Sequence, residues 1–125
     1  MKLAEIFVAR DAWKQLTGLK LSAHTAYRLL KYAKRVTAEY DVIEQQRGKL
    51  IRDAAGTKEG EDASLKPGTP EYSAFVADFG AVLDTESDLK PSDMTLDFLL
   101  DMIGKEQGNA LSAQDLAQLE PFFSA

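Results

Sequence analysis

The chain has 125 residues, 45% of them apolar and 28% charged, which is enough for one soluble domain with a real core. A net charge of −5 argues against generic binding to nucleic acid or anionic membranes, and the absence of cysteine excludes disulfides, thiolate metal sites and cysteine nucleophiles. The apolar runs are too short to span a bilayer, and MKLAEIFVARDAWK carries charges where a signal peptide needs its apolar stretch.

Leu3, Ile6, Phe7, Trp13 and Leu16 fall at helical spacing, so residues 1–17 are expected to form a first helix ended by Gly18. Trp13 is its expected core anchor.

Residues 22–55 are predicted to form one long helix. Ala26, Leu29, Ala33, Val36, Tyr40, Ile43, Arg47, Leu50 and Ala54 recur in steps of three and four, a heptad seam along one face. Ser22 can cap its start and Gly56 its left-handed end. Such a helix is about 50 Å long at ~1.5 Å per residue, against about 36 Å for a compact chain of this size. The molecule is therefore elongated, or the helix breaks at Gly48, where glycine costs about 1 kcal/mol relative to alanine.

Residues 56–69, rich in glycine, proline and charge, read as a loop, with Ala63 to Lys66 as a candidate short strand. Thr69, Pro70 and Glu71 then start a helix over 70–86 that carries Tyr72, Phe75, Val76, Phe79, Val82 and Leu83 inward. Lying antiparallel to the long helix, it should place Leu50 near Phe75 or Val76, Arg47 near Phe79, and Ile43 near Val82 or Leu83. Residues 87–125 are mixed: Met94, Leu96 and Phe98 alternate like a strand leading into a short helix. Ser112 and Asp115 form a capping box for another helix, stopped by Pro121, and Phe122 and Phe123 are either a docked tail or an exposed one. The expected fold is a single mainly α domain: a long central helix with antiparallel flanking helices, a helical hairpin or bundle, with room for one short β-hairpin, elongated overall.

Charge is segregated. Residues 20–52 hold eight Lys and Arg against three Asp and Glu (+5), and residues 53–125 hold four against fifteen (−11). The two parts either face each other or face different partners.

Laid out in this order, the chain resembles a family of small phage and prophage proteins known only as a domain of unknown function. The resemblance spans nearly the whole length. Leu21, Ala26-Tyr27 and Leu29 carry it at the start of the long helix, and Glu39-Tyr40, Gln46-Arg47 and Leu50-Ile51 towards its end. Phe75, Phe79 and Leu83 continue it, and Asp115-Leu116 with Leu119-Glu120-Pro121-Phe122 complete it. It implies a phage-encoded origin and a structural or assembly role around the tail or virion, with the host cytoplasm or the virion as the place of action. It brings no catalytic residue with it.

Few residues offer chemistry. His24, the single histidine, lies in the first turn of the long helix with no second imidazole or thiol in the sequence to share a metal. Asp84, Glu86 and Asp88 imitate the start of a calcium loop, but Leu89 stands where glycine is needed and Thr95 where the closing glutamate belongs. Neither a phosphate loop nor a nucleophile elbow occurs, so no catalytic residue, metal or cofactor is expected.

Arg28, Lys31, Lys34 and Arg35, interleaved with Tyr27 and Tyr32, are the sharpest candidates for binding. Opposite the seam they read as a solvated face, as a surface for a protein partner or for the chain's own acidic half, or as a patch that neutralises phosphates and stacks bases. Arg47 interrupts the seam, so it should reach Asp78 or Asp84, or extend to water, and act as a register-setting residue or a partner contact. The leading expectation is a non-enzymatic phage structural or assembly protein that contacts virion proteins or its own copies. The alternative is a small intracellular regulator or nucleic-acid-binding module using the basic face.

Overall fold

In a computed structural model, which describes residues 1–56, 64–106 and 111–124, the protein is mainly helical. Its spine is the long helix, here labelled α3, running without interruption over Ala23–Ala55. Ser22 stands at its N-cap, but its hydroxyl meets the Thr25 hydroxyl at 3.0 Å rather than accepting a backbone N–H. Gly56 ends it at φ 72°, where a side chain would be strained. Gly48 does not break it. The cost of one glycine, about 1 kcal/mol, is smaller than the gain from packing Ile43, Leu50, Phe75 and Phe79 around that half of the helix.

The first segment is two helices, not one: α1 over Leu3–Val8 and α2 over Arg10–Thr17, separated at the fully buried Ala9. The bend lets α1 reach α4, the helix over Pro70–Leu83, while α2 reaches α6, the helix over Ala113–Leu119. Ring contacts give the direction: Phe7 stacks on Tyr40 and Trp13 meets Tyr32, so rising numbers in α1 and α2 match falling numbers in α3. These helices are antiparallel to the spine, as expected. Helix α4 is capped by Thr69, whose hydroxyl accepts the Tyr72 N–H, and ends at Leu83 rather than at 86. Phe79 meets the edge of Phe7 and stacks on Phe75, which fastens α1 and α4 together over Tyr40.

Beyond α4 the chain continues down the spine without helix. Ser87 donates to Glu39, Lys90 accepts from Tyr32, and Asp93 pairs with Arg28. Six residue steps, about 20 Å when extended, thus cover eleven steps of α3, about 16 Å. Pro91 favours this form, because it holds the preceding Lys90 away from helical geometry.

The expected hairpin is absent from the described residues, and a parallel pair stands in its place. Strand β1 over Ser92–Thr95 joins β2 over Phe123–Ser124. Parallel partners need a crossover, supplied here by α5 over Leu96–Glu106, then α6 and a 3-10 turn over Glu120–Phe122. The strand leading into a helix from Met94 is as expected. So is the capping box: Asp115 N–H donates to the Ser112 hydroxyl and Ser112 N–H to the Asp115 carboxylate, each at 3.1 Å. Of the candidate strand at Ala63 to Lys66, Ala63 lies outside the described residues and the rest has no regular structure.

The C-terminal phenylalanines form a docked tail. Phe122 is fully buried with its ring edge against Trp13, and Phe123 stacks on the same indole. Trp13 is the expected anchor, and its buried Nε1–H finds no hydrogen-bond partner among the described residues. Such an orphan donor costs about 1–3 kcal/mol, which the burial of three further rings against the indole outweighs.

The acids at the end of α4 form an N-terminal clasp. Lys2 Nζ reaches Asp84 at 2.6 Å, the terminal ammonium reaches Glu86 at 3.3 Å, and Leu3 N–H donates to the Thr85 carbonyl at 3.0 Å. This leaves no calcium loop: among the described residues no cluster of acids or histidines could hold a metal ion. No helix among them is long and apolar enough to cross a membrane.

Two outcomes are expected. Phe122→Ala should cost about 3–5 kcal/mol in urea denaturation, as for other fully buried phenylalanines, whereas an undocked tail would cost almost nothing. The Lys2 hydrogen bond and charge hold Asp84 below its ordinary 3.8, and Asp84 in turn raises Lys2 above 10.5. Stability from the clasp is therefore present between those ordinary values. It is lost as pH falls through the depressed Asp84 value and as pH rises through the raised Lys2 value. The Leu3 amide protection factor should fall at both extremes, and Lys2→Met should abolish that pH dependence.

Candidate functional site

The basic face of α3 is half of a groove. Arg28, Lys31, Tyr32 and Arg35 form one wall, and Lys90, Pro91, Ser92 and Asp93 form the other, around a volume of about 410 Å³. Helical geometry sets the first wall, since positions 28, 31, 32 and 35 lie within two turns on one side. The second wall is set by Pro91, by the pairing of β1 with β2, and by a single hydrogen bond in which the Tyr32 hydroxyl donates to the Lys90 carbonyl at 2.7 Å. Ser124 also donates from its hydroxyl to the Ser92 carbonyl, fixing β1 from its other side.

Tyr32 is not the exposed stacking platform that its place among the basic residues suggests. It is 7% exposed, packed against Trp13, and its burial pushes the phenol up to about 12 while the positive charge of Arg35 pulls the other way. The buried arc of α3 begins at Thr25, not Ala26, and runs through Leu29, Tyr32, Ala33 and Val36. Two neighbours, α2 and the extended segment, flank this half of the helix, so the buried arc is wider than a heptad seam.

Four cations line the groove against one acid. Arg28 reaches Asp93 at 3.5 Å, a long contact with an almost fully exposed carboxylate that contributes at most about 1 kcal/mol. Lys31, Arg35 and Lys90 form no ion pair with a described carboxylate. Two exposed aromatic rings border the groove. The Lys31 ammonium lies 5.6 Å from the centre of Tyr27, and the Arg28 guanidinium 5.8 Å from that of Phe98.

Of the five residues nominated from sequence, the structure brings Arg28, Lys31 and Arg35 together. Lys34 is exposed on α3 but does not line the groove. Arg47 is about 18 Å further along the helix axis. It does not reach Asp78 or Asp84: it extends to solvent, with Glu44 at 3.9 Å as its only ion-pair partner among the described residues. Lys90 is the residue that sequence reading missed. Its one signal was the Pro91 that follows, which marks an extended backbone but not the surface it lies against. His24 is exposed at the start of α3.

No family model, curated protein or solved structure matches the chain.

Tyr32→Phe should cost about 0.5–1.5 kcal/mol by leaving the Lys90 carbonyl without its donor. The phenol also links folding to pH. Because the folded value is raised from 10.0 to about 12, its contribution is complete below pH 10 and lost as pH rises towards 12. Ultraviolet titration should show the amplitude near pH 12 fall by one tyrosine in the variant relative to the wild type.

Proposed function

We propose that this protein is a non-enzymatic structural or assembly component of a phage, and that it works by docking onto other proteins through the groove between α3 and residues 90–93. The phage origin rests on the resemblance read from the sequence alone. The observation that carries the docking role is the concentration of Arg28, Lys31, Arg35 and Lys90 in one groove of an acidic protein. Like charges gathered this way repel one another, and an anionic partner relieves that repulsion. A 33-residue helix holds the backbones of three of them at fixed spacing, so little backbone freedom is lost on binding.

In this reading the protein acts in the cytoplasm of the bacterial host during morphogenesis, as a tail-assembly chaperone or as a part retained in the virion. Its partners are virion or assembly proteins, and copies of itself can share the same contact. It needs no cofactor or metal. Arg47, exposed and distant from the groove, serves a separate contact if it serves one.

The test is capture from host cells producing the phage. Tagged wild-type protein should retain a virion or tail-assembly protein identified by mass spectrometry, and Arg35→Glu combined with Lys90→Glu should release it. Wild-type protein that recovers no virion or assembly component would overturn the proposal.

A further inference from the structure

The groove also carries information about the chemistry of its occupant. Taken alone it holds a formal charge of +3, four cations less Asp93, so the rest of the chain carries −8. Positive charge is concentrated at this site, while the acidic excess lies in residues 53–125. Arg28, Lys31 and Arg35 step along α3 by about 4.5 and 6 Å, about 10 Å in all. That is the reach of a few residues of extended chain, in which side chains on one face recur about every 6.7 Å.

Within the groove itself the aromatic arrangement offers no stacking platform. Tyr32, the only aromatic ring lining the groove among the described residues, is buried and committed to the Lys90 carbonyl, so it offers no face on which a base could stack. The exposed rings, Tyr27 and Phe98, stand at the margin beside Lys31 and Arg28. They are placed to receive an apolar side chain next to the charge. Asp93, on the groove wall, can accept a peptide N–H.

We infer that the groove binds a short extended segment of a partner protein that carries at least two acidic side chains, with hydrophobic side chains beside them, one against Tyr27 and one against Phe98. The inference rests on the docking role proposed above and specifies its ligand. Arg28, Lys31 and Arg35 meet the carboxylates from the α3 side, and Lys90 meets them from the opposite wall. The contribution of Lys90 distinguishes a groove from a merely basic helix face.

The test uses the full chain and synthetic probes. A fluorescein-labelled peptide of about ten residues, alternating glutamate with leucine and phenylalanine, is titrated by anisotropy beside its glutamine counterpart and a thymidine oligonucleotide of about 20 nucleotides. The acidic peptide should bind, with an affinity that falls as salt is raised, and the glutamine peptide should bind at least about tenfold more weakly. Arg35→Glu and Lys90→Glu should each weaken binding about tenfold or more. Lys34→Glu makes the same change in net charge outside the groove and should weaken it less than about threefold. Circular dichroism should show all three variants folded, since each altered side chain is exposed.

Three results would overturn the inference: equal loss in Lys34→Glu and Lys90→Glu, tighter binding of the oligonucleotide than of the acidic peptide, or no peptide binding at low salt. Peptide binding with the predicted variant pattern, together with capture of a partner unrelated to a virion, would uphold the groove and remove the phage role.

Discussion

The packing of Trp13 against Tyr32, Phe122 and Phe123 is the interaction on which the rest of the structure depends. It ties three distant parts of the chain into one core: α2, the spine and the C-terminal tail. Docking the two phenylalanines places β2, β2 holds β1 by parallel pairing, and β1 follows directly on Lys90 and Pro91. The same packing turns Tyr32 inward, where its hydroxyl fixes the Lys90 carbonyl. The basic groove is thus a consequence of aromatic burial by rings of which only Tyr32 belongs to a groove wall. A fully buried phenylalanine is worth about 3–5 kcal/mol on removal, while exposed ion pairs are worth about 0–1 kcal/mol. Burial therefore decides the geometry, and charge is left free for recognition.

The acidic and basic halves are used differently. Asp84 and Glu86 close on Lys2 and the terminal ammonium, so part of the negative charge holds the first strand of chain against the end of α4. The groove-lining cations of α3 are barely neutralised by described carboxylates. Of its nominated residues, Arg28 has one long contact with Asp93 and Arg47 one with Glu44. The expectation that the two halves face each other holds only at the Arg28–Asp93 pair among these residues. Lys31, Arg35 and Lys90 line the groove without an ion pair to a described carboxylate, so their charge is available to a partner.

Much of the helical architecture was legible because its signals are local. The Thr69 cap with Pro70, the Ser112–Asp115 box and the left-handed Gly56 each act within a turn of the helix they mark. The antiparallel lie of α1, α2 and α4 on the spine followed from short connections and matching apolar faces. Local signals failed where two surfaces compete for one segment. Residues 1–17 share one helical period, yet Ala9 bends because α1 and α2 serve different neighbours. Tyr32 looked like part of the outer basic face, yet a second neighbour on that side widened the buried arc to include it.

By itself, the sequence determined a long capped helix, its flanking amphipathic helices and the presence of a basic stretch in an acidic chain, since each is written in residues three or four apart. Which cations act together was decided only by tertiary structure. Lys90 meets α3 through a partner 58 residues away, and Ser92 pairs with Phe123 across two intervening helices. Contacts of that kind depend on the tail docking under Trp13. They leave no periodic trace, because a period records which face of a segment is apolar and not which distant segment covers it.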